Sequence, residues 1–356
     1  MGECRSLARD EGAENVRPHD LQKAGCLVTS LLAKPIRTLS PFSRGLLRPR
    51  LASGNLQDTR YKPMKERFEM KANRIVVLAI AVLALIAVTS SRALPQTFTT
   101  IDYPGATHTR LFSINPEGTM VGIYVIGTMF HGILVTPDGI NTIDFPGSAV
   151  TAALSINPAG DAVGWYAYTL TMNRGFLLQR GAFHEIDFPG AKTTMPFGIG
   201  ATGDIVGAYQ DPGNHFHGFL LRHGDFITID VPGAAETQVN CITPRGNILG
   251  NYRTSEGVFH MFLLSEDVFT TIDVPGAVST GGFTIGVGIN PSGEIVGQYR
   301  DTTGVTHGFL LNADGYTTID YPGAATTVAT GINPRGDIVG RYRDSAGKDH
   351  AFLLVR

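Results

Sequence analysis

Five residues stand thirteen positions ahead of an aspartate: His131 before Asp144, Arg174 before Asp187, His217 before Asp230, His260 before Asp273 and His307 before Asp320. His350 closes the series, and Asp102 opens the series of aspartates. Imidazole beside carboxylate is the pairing used in general acid–base catalysis, in activating a nucleophile and in holding a metal. The regularity argues for another use. A residue needed once per repeat is most economically a part of the repeat, so Asp102, Asp144, Asp187, Asp230, Asp273 and Asp320, with His131, His217, His260, His307 and His350, are read as structural. Each aspartate precedes x-Pro-Gly, where its carboxylate can accept turn N–H groups. The histidine can donate to that aspartate in a buried network inside the repeat.

Other chemistries find less support. Asp211, Asp301 and Asp344 open Asp-x-x-Gly loops, but calcium takes about six to eight oxygens and these loops offer few. His215 and His217 share a strand face without a third ligand; no metal and no cofactor is expected. There is no Gly-x-Ser-x-Gly elbow, phosphate loop or His-Glu-x-x-His pair, which disfavours an enzyme. Binding candidates are the residues that break the repeat. Trp165, the only Trp, occupies a slot held elsewhere by Ile123, Ala208, Asn251, Gln298 and Arg341, and this mixed occupancy suggests a rim position. With Tyr168 and Asn173 it could stack on a sugar ring or anchor a protein. His108, Arg110, Glu236 and Asn240 are further single-copy residues. Cys241 fills a slot that is Ser or Gly in other repeats and reads as a small buried thiol.

The elements that must position these residues are repetitive. Ile-Asp-x-Pro-Gly recurs with Asp at 102, 144, 187, 230, 273 and 320; Ile-Asn-Pro-x-Gly follows with Asn115, Asn157, Asn290 and Asn333, and Val-Gly-x-Tyr follows that. Each unit of about 43 residues reads as four short strands separated by Gly and Pro. The first strand starts at a threonine six before the Asn, which in the fifth repeat is Thr284. Asn-Pro-x-Gly forms a type I turn. A four-residue insertion falls between Gly276 and Asn290. Six four-stranded units predict an all-β six-bladed β-propeller over 94–356. The repeats open with a fourth strand (Phe98–Asp102) and stop after a third (His350–Leu354), so the first strand would complete the last blade and close the ring. The segment resembles the bacterial extracellular HAF repeat family, whose His-Ala-Phe motif stands here as His350-Ala351-Phe352 and as His-Gly-Phe at 217–219 and 307–309. The resemblance implies export and a repeat fold, and lends no catalytic residues.

The rest of the chain is a different material. Residues 1–93 hold 16 Lys/Arg against 8 Asp/Glu, and 94–356 hold 13 against 23. Residues 1–69 read as a disordered basic tail or an over-extended start, with Met64 and Met70 as alternative initiators. Residues 70–93 carry fourteen apolar residues (Ile75–Val88) between a basic flank and Ser91-Arg92-Ala93, the pattern of a secretory signal, cleaved or kept as a signal anchor. The run is short of the roughly 20 residues of a spanning helix. The expectation is a monomeric, extracytoplasmic binding or scaffold module for an extracellular polysaccharide or protein, touching membrane only through an uncleaved anchor. The alternatives are a carbohydrate-active hydrolase or lyase and a structural matrix protein. With Lys192 and Lys348 the only lysines in 94–356, an acidic excess and no basic stripe, nucleic acid is not expected as a partner.

Overall fold

The computed structural model describes residues 97–169, 172–282 and 286–356. The basic tail, the signal segment and Thr284 lie outside the described residues. Among those described, every regular element is a β-strand. Strand β1 (Thr97–Ile101) is followed by blade one, made of β2 (His108–Ile114), β3 (Met120–Ile126), β4 (Met129–Thr136) and β5 (Gly139–Ile143). Five further antiparallel sheets repeat that order. The last sheet is completed by β1, which pairs with the third strand of blade six (Asp349–Val355) from Thr97↔Val355 to Ile101↔Ala351. It is a six-bladed β-propeller closed by its first strand.

The breakers do local work. Across Tyr103-Pro104-Gly105-Ala106, the Tyr103 carbonyl accepts the Ala106 N–H at 3.1 Å, and Gly105 takes φ +81°. This is a type II turn, which needs a left-handed residue after the proline. The N–H of Tyr103 donates to Thr109 Oγ1 at 3.0 Å, and the same bond recurs from Phe145, Phe188, Val231 and Tyr321 to Thr151, Thr194, Thr237 and Thr327. The repeated threonine therefore takes the turn N–H expected to go to the aspartate. In blade five this threonine is Thr280, whose Oγ1 accepts from Val274 N at 2.9 Å. The described strand residues before Asn290 are Ser279–Thr280 and Gly288–Ile289, and the expected Thr284 lies outside the described residues.

The core is a ring of seams between blades. Phe176, Phe219, Phe262, Phe309 and Phe352, from the third strands, are fully buried. Each such ring removes about 150–250 Å² from water. In five blades the first strand carries a one-residue β-bulge, at Phe112, Leu154, Phe197, Asn240 and Thr330. The residue after the bulge is small because neighbouring inner strands nearly touch there. Ile156 N donates to Ser113 Oγ at 3.4 Å, Ile199 N donates to Ser155 Oγ at 3.3 Å, and a Cβ on Gly198 would overlap the carbonyl of Asn240. Cys241 obeys the same limit: its thiol donates to Val287 O at 2.8 Å, and burial pushes it up to about 12, so it is not a thiolate near neutral pH.

Candidate functional site

Residues opposite one another on neighbouring strands share a sheet face. In blade six, Arg343 lies opposite Thr326 and Asp349, and Arg341 opposite Val328 and Ala351. The same ladder positions hold His108, Arg110, Ile123, Val125 and Phe130 in blade one, and Glu236, Gln238, Asn251, Arg253 and Phe259 in blade four. The slot of Arg341 changes in every blade, whereas that of Arg343 is Arg in blades four to six and that of Asp349 is Phe in blades one, three and four. Four of the singled-out residues, His108, Arg110, Trp165 and Glu236, fall on these ladder positions. Asn173 immediately precedes the third strand of blade two (Arg174–Gln179), and Asn240 is the bulge of blade four. Tyr168 stands apart, 53% exposed in the loop after the second strand of its blade.

The ring of variable residues has two halves. Blades one to three contribute Phe112, Ile123, Ala152, Leu154, Phe197 and Ala208, with Phe130, Trp165, Met195 and Phe216 packed against them. Trp165 is thus half-buried against an apolar cluster, where the neighbouring slots supply apolar partners for the indole. Asn173 Nδ2 lies 3.5 Å from Met195 Sδ. On the other side, Asn251 Nδ2 donates to Asn240 Oδ1 at 3.0 Å, and Glu236 pairs with Arg253 at 3.1 Å.

The densest charge lies at the seam of blades six and one. The Asp349 side chain is 0% exposed and is flanked by three guanidiniums. Its Oδ2 accepts from Arg110 Nε at 2.8 Å and lies 2.6 Å from Arg110 Nη2; its Oδ1 accepts from Arg343 Nε at 2.7 Å. Arg341 Nη1 stays 3.6 Å from Oδ1. Burial would raise the Asp349 carboxyl, but the hydrogen bond from Arg343 and the Arg110, Arg341 and Arg343 charges hold it below the usual carboxylate range. Arg341 is pulled down to about 10, first by burial and then by its two cationic neighbours, against the attraction of Asp349. The Asp349 N–H donates to His108 Nδ1 at 3.0 Å, so that nitrogen carries no proton and His108 presents Nε2–H. The sequence reading selected His108 and Arg110 but missed Asp349, Arg341 and Arg343. The available signal was an acid in a slot that is Phe130, Phe216 and Phe259 elsewhere.

The repeated polar residues assemble away from this ring. His131, His217, His260, His307 and His350 bring Nδ1 within 2.7–2.9 Å of Asp144, Asp230, Asp273, Asp320 and Asp102. Arg174 reaches Asp187 in the same way. The pairs are part-exposed rather than buried, since they stand at the blade surface with the carboxylate facing water. Tyr209 stacks between Phe188 and His217, at 3.6 and 5.2 Å between ring centroids. The Asp-x-x-Gly loops are tied internally: Asp211, Asp301 and Asp344 each accept a loop N–H at 2.8 Å and approach the repeat histidine with their second oxygen. Among the described residues, no three His, Cys, Asp or Glu side chains group as a metal site would require.

Two hollows flank the ring. A cavity of about 160 Å³ occupies the channel where the first strands end, walled by Phe112, Leu154, Phe197, Asn240 and Thr330 and by the turn prolines beyond them. It lies toward the turns between first and second strands, opposite the face expected to carry the ligand. On the expected face, a groove of about 320 Å³ runs between Met172–Arg174 and Asp187–Thr194, at the seam of blades two and three.

No protein-family model matches the chain, and no curated protein does. Solved propellers resemble it in fold. A virginiamycin B lyase from Staphylococcus aureus, in complex with quinupristin, is 10% identical over 73% of this chain and all of its own (TM-score 0.45). TolB from Acinetobacter baumannii is 10% identical over 70% of this chain and 63% of its own (TM-score 0.46). Aleuria aurantia lectin, in complex with α-methyl-L-fucoside, is 10% identical over 72% of this chain and 93% of its own (TM-score 0.43).

Proposed function

We propose that the chain is an exported binding module whose propeller recognises an extracellular glycan or protein on the face formed by the loops after the second and fourth strands. The observation that carries this reading is the separation of roles. Repeated residues build the blades, and variable polar, cationic and aromatic residues gather on one face of each blade around the channel. A rigid scaffold presenting variable side chains is how propellers and other repeat folds recognise ligands. The export part of the reading rests on the basic flank and apolar run of 70–93 and on the HAF resemblance. Asp349 is disfavoured as a general acid, which needs a raised pKa, because its carboxyl is held low by Arg343, Arg110 and Arg341.

The test is a glycan array probed with the full chain, beside Tyr168→Ala and Asn173→Ala variants. Selective binding of a glycan, weakened by either variant without a change in melting temperature, supports the reading. Absence of any glycan binding removes the glycan arm and leaves a protein partner, sought by cross-linking on the same face.

A further inference from the structure

The three arginines at the seam of blades six and one are more than Asp349 requires. Arg110 and Arg343 already fill both carboxylate oxygens through their Nε and Nη2 donors. Arg341 is left over. Its side chain keeps only 16% of its surface open, and among the described residues it has no hydrogen-bond partner, only the ion pair at 3.6 Å. A guanidinium carries five donors, and those of the part-buried Arg341 are left to solvent or to an outside partner rather than to the protein. Three cations against one carboxylate also leave an excess of two positive charges in a propeller segment that is otherwise acidic. The cluster is therefore a local device rather than part of a basic surface. The equivalent slots hold Ile123, Trp165, Ala208, Asn251 and Gln298, so the blade architecture does not call for arginine. His108 Nε2–H adds a donor from the adjoining blade.

We propose that Arg341, with Arg110, Arg343 and His108 beside it, binds the oxyanion of an acidic extracellular polysaccharide, a uronate carboxylate or a sulfate ester. The planar fork of arginine matches both groups, which accept two parallel N–H bonds. The polymer part of this inference rests on the glycan-binding reading above; the oxyanion part stands on the arginine geometry alone.

The experiment titrates the full chain with polygalacturonate, dextran sulfate, unmodified dextran and inorganic sulfate, following binding by calorimetry and melting temperature. The variants are Arg341→Gln, Arg341→Lys and, as a control on the opposite face, Arg335→Gln. The expected result is binding of one or both charged polymers with little for dextran, falling with added salt. Arg341→Gln should weaken that binding at least tenfold, Arg341→Lys less, and Arg335→Gln not at all. Polygalacturonate alone identifies the carboxylate as the ligand, dextran sulfate alone the sulfate ester, and both the shared oxyanion. If Arg341→Gln fails to fold, Arg341→Lys carries the test through its loss of the fork. Unchanged binding by the folded Arg341 variants, or dextran bound as tightly as the charged polymers, overturns the inference while leaving glycan recognition standing. Sulfate raising the melting temperature of the wild type but not of Arg341→Gln, with no polymer bound, keeps the oxyanion site and defeats its assignment to an acidic polysaccharide. No response to any of the four ligands overturns the inference and leaves glycan recognition to the array.

Discussion

At the scale of the residue, the repeated histidines trade one environment for another on folding. His217 meets Asp230 through Nδ1 and Asp211 through Nε2, and His307 meets Asp320 and Asp301 likewise. Burial alone would lower both imidazoles, but the hydrogen bonds and charges of two aspartates each outweigh it, and both are raised above the ordinary histidine value. The unfolded chain titrates near about 6.5. A folded pKa above the unfolded one means that protonation favours the fold. The stabilisation is complete below about pH 6 and is lost as pH rises through the raised value. The melting temperature of the wild type should therefore exceed that of a His217→Gln, His307→Gln variant by more at pH 5.5 than at pH 8.5. A gap that stays constant or widens with pH would show that these imidazoles are held neutral.

At the scale of the element, the two blades that depart most from the repeat explain each other. Blade four has Met261 where others have the small residue of His-Gly-Phe, and blade five has the insertion that splits its first strand. Met261 packs where that strand should be: its Cγ would lie 3.0 Å from a Cβ on Gly281, and its Sδ 3.1 Å from one on Gly297. In ordinary seams the small residue faces an intact neighbour, as Gly218 faces Val239 and Gly308 faces Ala329. Restoring the repeat with Met261→Gly should thus destabilise the protein, by about 2–4 kcal/mol for a fully buried methionine that leaves a cavity. Urea unfolding would measure it, and a neutral result would mean that the seam collapses to fill the space. Period, turn chemistry and strand order were legible because they recur, and each copy corrected the reading of the others. Placement of the insertion was not, since a single variant copy gives no register; only the Val274–Thr280 bond fixes it. The candidate site was partly legible for the converse reason. Single-copy Trp165 and Arg110 stand out against the period, but whether a slot faces water or a neighbouring seam depends on the adjoining blade. The apolar partners of Trp165 come from adjoining blades, and Arg341 reads as slot variation until Asp349 brings its carboxylate beside it.

At the scale of the whole molecule, the described part is one ring whose closure depends on five residue pairs. β1 supplies the outer strand of blade six, and Arg110 of blade one reaches Asp349 of blade six across the same seam. A chain begun at Tyr103 lacks β1 and exposes the edge of Asp349–Val355, a template for pairing with another copy. It should melt well below the full chain and form higher-order species on size-exclusion chromatography with light scattering. A monomer of unchanged melting temperature would show that the five pairs are dispensable.

That same clasp decides how the ring answers a pull. Thr97 lies opposite Val355, so the chain enters and leaves the clasp at the same end of one antiparallel pair. A force drawn between the two flanking segments peels β1 away one rung at a time, instead of loading all five rungs in parallel. Peeling is the mechanically weak direction, because only the frontmost hydrogen bonds bear the load at any moment. For a propeller tethered through the segment before Thr97 and pulled through its C-terminus, the ring yields first inside blade six, from the Thr97–Val355 rung to the Ile101–Ala351 rung, before the load reaches Asp349 and its arginines.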